Sequence, residues 1–411
     1  MNTKHGLSRR RFLIGGLAAL GGAALSGLRR LVGQAAPTEP GDVVPRVYLP
    51  LIAHNYPPPE SARVVHVHDP DATSWDFSTG WYGDYVSQSA VDRLMEEGLK
   101  SLTGTTSVQE AWQQLLPNYQ SGQRIAIKVN FNNSGDCGVT GNKIDGLAEP
   151  VNALIATLKA FGVAESDIWI YDALRALPNR FVNRLRYTGV RLFDSRSKGC
   201  REDATFNSND PNAEVDFQHP DLTNRRLTDV VVSADYLINM PIMKFHGIHP
   251  VTLGFKNHFG SLDNVIREGN DNLHWYIAPD DDRYSPAYSP MVDINANPHI
   301  ADKTVLIVGE ALFGAKSGTT QPPLSWDTFE GDAPNSLFLS RDPVAVDCVM
   351  TDFVRIERNG NRMAGAYDYL FCAQEANLGT CEGTRDNPGG DPWQTPYGSG
   401  YSQIEYLRID L

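Results

Sequence analysis

Short apolar runs alternate with longer amphipathic ones along most of the chain, and this alternation narrows the fold more than any other feature. "RVVHVH" (63–68), "RIAIKVNFNN" (124–133), "DIWIYDA" (167–173) and "VRLFD" (190–194) are strand-like runs rich in β-branched and aromatic residues. "DYLINMP" (235–241), "KTVLIVGEA" (303–311) and "NSLFLS" (335–340) follow the same pattern, each cut off by a polar or glycine-containing turn. Between them, "SAVDRLMEEGLKSLTG" (89–104), "EAWQQLLPNY" and "EPVNALIATLKAFG" (149–162) have helical spacing. The third has proline near its first turn and glycine past its last. "DPVAVDCVMTDFVRIE" (342–357) starts with Asp342 as N-cap and Pro343 at the first helical position. Strand–helix alternation predicts an α/β fold, with a mostly parallel sheet flanked by helices. In such sheets ligands bind beyond the C-terminal ends of the strands, where the polar clusters of this chain fall. Residues 263–300 and 379–403 read as loop-rich insertions or a lid, with Asp280, Asp281, Asp282 and several prolines.

The predicted domain spans 63–411. Ahead of it, "SRRRFLIGGLAALGGAALSGL" places Arg9, Arg10 and Arg11 before a Gly/Ala/Leu run, and "GQAA" (33–36) offers small residues for cleavage. Residues 1–36 therefore resemble a twin-arginine signal peptide. The expected partner during export is the twin-arginine translocase, and the expected location is periplasmic, extracellular or cell-surface. No stable membrane span is expected after processing. Residues 37–62 read as a Pro-rich linker, with seven prolines between 37 and 60.

Charge separates partner classes. Residues 1–36 hold six basic and no acidic residues, so thirty basic residues face 49 acidic ones in the remainder, a net of −19. A field of that sign repels nucleic acid and anionic membranes. Basic residues gathered within it are the informative exception, and "MPIMKFHGIHPVTLGFKNHFGSLDN" (240–264) gathers Lys244, His246, His249, Lys256 and His258.

Read locally, Pro241 ends a strand, Lys244 to Gly247 form a loop, and Pro250 opens a helix running to about Leu262. Val251, Phe255, Phe259 and Leu262 would share its buried face, with Thr252 and Lys256 at the edge. Lys244, His246 and Lys256 would surround the helix N-terminus, whose amides favour an anion. Ion pairing of both lysines with acidic neighbours is the alternative. Lys128 and Asn130 leave the strand "IAIKVN" together. A lysine there needs a partner, for which Asp172 at the next strand end is the candidate. Asp342 reads as a cap, and Asp347 lies in the same late helix.

Metal signals are thin. His66 and His68 share one side of a strand, with Asp69 next, whereas His246, His249 and His258 do not share a helical face. No HExxH motif and no Cys/His quartet occurs, which leaves open a mononuclear metal held by histidine and aspartate from separate loops. The five cysteines, Cys137, Cys200, Cys348, Cys372 and Cys381, form no CxxC pair and hence no local iron–sulfur motif. Cys348 reads as a core residue, and Cys372 and Cys381 are the pair nearest in sequence for a disulfide. "GAKSGTT" (314–320) lacks phosphate-loop spacing and reads as a flexible site-edge loop.

Four segments carry a family resemblance: "AIKVN" (126–130), "INMPIMKFHGIHPVTLGFKNHFG" (238–260), "LIVGEALFG" (306–314) and "SRDPVAVD" (340–347). With these, the chain resembles the domain of unknown function 362 family over most of 63–380. Pro241, Lys244, His246, Thr252, Lys256, Asn257 and Gly260 hold the central pattern, together with Lys128, Asn130, Asp342 and Asp347. Many relatives carry an iron–sulfur segment that this sequence lacks, and Glu310 stands where they tend to have aspartate. The export signal and the cluster of cations in an acidic chain point to an exported enzyme for an anionic small molecule, with metal assistance, redox and acid–base chemistry at His246 all left open. His246, Lys244 and Lys256 would be catalytic, and Lys128, Asn130, Thr252, Asn257, Asp172 and Asp347 would bind substrate. The cofactor and any metal stay unnamed. The alternative is a non-catalytic exported receptor for a solute or cofactor.

Overall fold

The computed structural model describes residues 62–411. The signal expected over 1–36 and all but the last residue of the expected linker lie outside them. No helix among the described residues is long and apolar enough to cross a membrane.

In chain order, β1 (Arg63–His68) leads to α1 (Gln88–Thr103), α2 (Val108–Leu115) and β2 (Ile125–Lys128). Then come α3 (Ala148–Phe161), β3 (Ile168–Tyr171), α4 (Asn179–Val182), β4 (Arg191–Asp194) and β5 (Glu202–Asp203). A small ribbon, β6 (Glu214–Val215) with β7 (Arg225–Arg226), precedes α5 (Asp229–Ser233) and β8 (Tyr236–Asn239). The motif region holds β9 (Ile242–Phe245), β10 (Val251–Thr252) and α6 (Gly254–Asn257), followed by α7 (Pro290–Asn295) and α8 (Pro298–Ala301). The chain continues through β11 (Thr304–Ala315), β12 (Ser336–Ser340), α9 (Pro343–Glu357) and α10 (Asp368–Glu375). A hairpin of β13 (Gly383–Thr384) and β14 (Asn387–Pro388) precedes β15 (Glu405–Asp410).

Eleven strands form one sheet in the order β15-β1-β12-β11-β8-β2-β3-β4-β5, with β9 joined to β11 and β10 to β9. From β11 through β8, β2, β3 and β4 to β5 every pairing is parallel; β12 runs antiparallel to both β1 and β11. The fold is thus α/β, mostly parallel, as expected. Both faces are covered, which explains why the strands read as nearly continuous apolar runs. Ile125 and Ile127 of β2, and Val65 and Val67 of β1, join the core formed with α1, α2 and α3. Ala126 and Val64 enter the opposite core, with α9 and α10. The period-two alternation therefore places Lys128 on the α9 side, two residues beyond Ala126.

The motif region departs from the expected long helix. Lys244 and Phe245 lie in β9, and Val251 and Thr252 pair opposite them as β10. Pro250 sits in the hairpin turn, its carbonyl accepting the His246 amide at 3.3 Å. Extended pairing suits the β-branched Val251 and Thr252 better than a helical turn does. Helix starts only at Gly254 and passes at His258 into a 3-10 turn ending at Ser261.

Other expectations change as well. The disulfide joins Cys137 to Cys200, in the loops after β2 and β4, and not Cys372 to Cys381. Cys372 and Cys381 are free, as is Cys348, which is buried in α9 as expected. Residues 263–300 contain α7 and α8, and α7 packs on α6. Residues 379–403 are stitched down: Glu382 accepts backbone N–H bonds from Ser402, Gln403 and Ile404 at 2.8–3.0 Å. Asp352 takes Gly390 N at 2.9 Å and the Tyr401 hydroxyl at 3.0 Å.

Asp342 caps α9 as expected, accepting from Val344 N and Ala345 N at 2.9 Å each. It also accepts from Thr380 N at 2.9 Å, tying the C-terminal excursion to the helix. Asp342→Ala orphans three amides at a buried helix end and is expected to destabilise the fold by about 1–3 kcal/mol. Denaturant unfolding monitored by circular dichroism measures this; an unchanged midpoint would remove Asp342 from the tertiary tie.

Candidate functional site

Three parallel strands end in register, with Lys128 of β2 opposite Tyr171 of β3 and Asn239 of β8. Lys128 is fully buried, so its ammonium needs partners in place of water. Its Nζ donates to Asp172 Oδ2 at 3.1 Å, Asn257 Oδ1 at 3.3 Å and the Val129 carbonyl at 2.5 Å. Even so, burial holds its pKa below the ordinary lysine value, opposed by the Asp172 charge. Asn257 knits the strand ends together. Its Oδ1 also accepts from Asn130 Nδ2 at 3.0 Å, and its Nδ2 donates to Asn239 Oδ1 at 2.7 Å. Asn130 Oδ1 in turn accepts from Lys244 Nζ at 2.9 Å.

Gly260 lies over the ion pair. A Cβ at this position would meet Lys128 Nζ at 2.7 Å and Asp172 Oδ1 at 2.9 Å, so the glycine is required by space. The Gly260 carbonyl accepts the Ala173 amide at 2.8 Å, fixing the motif over the end of β3.

Asp347, in the first turns of α9, determines where α6 begins. Its carboxylate accepts Gly254 N at 2.7 Å, Phe255 N at 3.0 Å and the Tyr369 hydroxyl at 3.1 Å. No helix opens at Pro250, where the sequence placed an anion-favouring N-terminus, and the amides that do open α6 are taken by a carboxylate of the chain itself. Burial pushes the pKa of Asp347 up to about 7, against the pull of the two amides and the hydroxyl. Glycine is needed at 254 as well, where a Cβ would lie 2.9 Å from Asp347 Oδ1.

Lys244 is fully buried, and burial lowers its pKa to about 8, offset by the nearby Asp145, Glu310 and Asp172. Burial also drives Glu310 up to about 8 and Asp145 up to about 6. Asp145 is held by Asn133 N at 2.8 Å and Ser134 Oγ at 3.0 Å. Thr252, opposite Lys244 across the hairpin, therefore shares its face. The Thr252 hydroxyl oxygen is buried and has no hydrogen-bond partner among the described residues.

Lys256 differs from the other two lysines. It is 7% exposed, yet among the described residues its ammonium has neither a hydrogen bond nor an ion pair. Its contact is with the Phe259 ring, whose centroid is 3.9 Å from Nζ. Burial, reinforced by the Lys244 charge, brings its pKa to about 7.

Around Lys256 stand imidazoles whose basicity is lowered by burial and then by its charge: His246, well below the ordinary histidine range, and His274, at about 3. Their ring centroids are 6.3 Å apart. His246 Nδ1 accepts from Ile248 N at 3.4 Å, which leaves Nε2 to carry the proton of the neutral ring. His274 Nδ1 is buried and without a partner among the described residues. His249 Nδ1 contacts the Val251 carbonyl at 2.8 Å, and His258 Nδ1 contacts Ser261 Oγ at 3.1 Å, so both serve packing.

All the residues expected at the site reach this edge of the sheet. Lys128, Asn130, Asp172, Asn257 and Lys244 form one bonded network, and Asp347 caps α6 behind it. Lys256, His246 and Thr252 have polar atoms left over. Sequence reasoning missed His274 and Asp145, both in loops without periodic signal, and Asn239, which sat in a strand run. A cavity of about 80 Å³ adjoins the hairpin turn, lined in part by Phe245, Gly247, His249 and Arg362. The larger cavity, about 540 Å³ between Thr328, Arg355, Ile356, Asp391 and Trp393, shares no residue with the site.

Among the described residues the site's donors form no close group of metal ligands. His66 is bonded to Tyr406 and Ser336 at 2.8 Å each, and Asp69 to Arg93 at 2.6 Å. Among the described residues the single close trio of potential ligands is Cys137, Asp194 and Cys200, and its two sulfurs are joined in the disulfide.

Removing one lysine should have the opposite effect to removing the other. Lys128→Met leaves Asp172 buried without its counter-charge and should destabilise by about 3–5 kcal/mol. Lys256→Met removes an unpaired buried cation and should raise the midpoint of the ligand-free protein. Unfolded, Lys256 titrates near 10.5; folded, at about 7. Between those values the unfolded chain holds the extra proton, so wild-type stability gains with rising pH. The advantage of Lys256→Met is therefore greatest below pH 7 and fades towards pH 10. Thermal melts of both variants across that range check the pair; a Lys256→Met protein less stable than wild type at pH 6 would contradict the uncompensated charge.

Comparison with known proteins adds a family. The family described as Domain of unknown function (DUF362) matches residues 125–352, a stretch that includes every residue of the network from Lys128 to Asp347. No curated protein matches the chain. Since the matched segment is more than half of the 411 residues, the chain belongs to the domain of unknown function 362 family.

Proposed function

We propose that the chain is an exported enzyme that binds a small organic anion at the C-terminal edge of its sheet, with Lys256 as the group that receives the negative charge. The observation that carries this reading is the asymmetry among the three lysines. Lys128 and Lys244 have hydrogen-bonded partners and nearby carboxylates, whereas among the described residues Lys256 has neither. An interior ammonium without a counter-charge is costly, and an anionic ligand supplies what is missing. The unpartnered Thr252 hydroxyl and His274 Nδ1 offer further polar contacts in the same region. Side chains with strongly displaced pKa values gather at functional sites, and Lys256, His246 and His274 are such a group, which favours an enzyme over a receptor. Export is supported by the Cys137–Cys200 disulfide, since such bonds persist in oxidising compartments. Among the described residues, the histidines of the site join no carboxylate in a close group of potential metal ligands.

Titration calorimetry with inorganic phosphate, acetate and pyruvate tests the reading. At least one anion should bind one-to-one near pH 6.5, and Lys256→Gln should weaken it by about tenfold or more. The anion pairs with the ammonium, whose pKa in the free protein is about 7. Affinity should therefore fall by up to about tenfold per pH unit above that value. Failure of all three anions to bind, or binding indifferent to Lys256, would overturn the proposal.

A further inference from the structure

We propose that Lys256 is also an amine nucleophile, condensing with the carbonyl of a small oxo acid whose carboxylate is the bound anion; this rests on the anion-binding reading above. A lysine reacts with a carbonyl when its nitrogen is free of bonded partners and its neutral form is accessible. Of the three buried lysines, Lys128 Nζ is engaged by Asp172, Asn257 and the Val129 carbonyl, and Lys244 Nζ by Asn130. Lys256 Nζ makes no such bond among the described residues and lies against the Phe259 ring, 3.9 Å from its centroid. Burial and the positive charge of Lys244 both favour release of its proton.

The step balances without oxidant or reductant. The ammonium gives up a proton, and the nitrogen lone pair attacks the carbonyl carbon while the C=O π electrons move to oxygen. That oxygen is protonated to give a carbinolamine. Loss of a second N–H proton and departure of the hydroxyl as water leave a C=N bond, protonated on nitrogen. One ammonium and one carbonyl thus become one iminium and one water, so the positive charge at Lys256 is unchanged and the carboxylate stays paired. His274, which feels the Lys256 charge and whose buried Nδ1 has no partner among the described residues, is the group that would take the ammonium proton and return it to the oxygen. The groups whose charges bear on Lys256 are Lys244 and, through its own effect on them, His246, His249 and His274.

The test is reductive trapping on the full chain with pyruvate and cyanoborohydride at pH 7, followed by peptide mass mapping. The expected result is modification of Lys256 at least about tenfold faster than of the exposed Lys143, with acetaldehyde reacting less selectively because it lacks the carboxylate. Lys256→Arg should lose this adduct, and mapping of the wild-type protein is decisive even if that variant does not fold. Labelling spread evenly over exposed lysines, with Lys256 untouched, would overturn the imine. Pyruvate that binds in calorimetry yet leaves Lys256 unmodified would also overturn it, while the anion-binding reading stands. If no anion binds at all, both fall.

Discussion

Moving a lysine ammonium into a protein interior costs several kcal/mol unless opposite charge and hydrogen bonds replace its water, and that constraint organises the edge of this sheet. Lys128 ends β2 on the covered face, where its nearest source of compensation is Asp172, just past the end of the adjacent strand. The pair seats Asn257, which then bonds the ends of β2 and β8 and turns Asn130 towards Lys244. Because Gly260 must pass within contact distance of both charges, the motif that follows the hairpin is drawn over the strand ends. The position of α6 is thereby a consequence of electrostatics at β2 and β3.

A second constraint acts from the opposite side. Two free amides at the start of a four-residue helix would be unsatisfied inside the protein, and Asp347 of α9 accepts both. This moves the functional question. Helix N-termini attract anions, but here the carboxylate that answers them belongs to the chain, 93 residues away in sequence. At the far end of the same short helix, Lys256 meets a ring and neutral imidazoles in place of an acid.

The sheet was legible in the sequence because burial on both faces writes apolar runs that need no partner to be recognised. The site residues were legible as a set, since lysines and asparagines at the ends of such runs are out of place unless they meet. The hairpin of β9 and β10 was not. Each strand is short, Pro241 and Pro250 look like stops, and the pairing of Val251 with Phe245 is a tertiary fact. The disulfide was hidden for a similar reason. Cys137 and Cys200 are 63 residues apart and meet because the loops after β2 and β4 end on the same edge, whereas nearness in sequence pointed to Cys372 and Cys381. His274 arrives from a loop with no periodicity and left no signal to read.

The division of labour among the three lysines separates architecture from chemistry. Groups that hold a fold together have their electrostatic needs met within it, as Lys128 does with Asp172 and Lys244 with Asn130 and nearby carboxylates. A group whose needs are not met lowers the stability of the empty protein and is retained when something outside the fold meets them. Among the described residues Lys256 has no such partner, and neither does the Thr252 hydroxyl on the neighbouring hairpin. With Asp347 fixed on the amides of α6, no carboxylate among the described residues pairs with Lys256 in its last turn. The cap that defines the helix thus leaves the lysine beyond it without an acidic partner among the described residues.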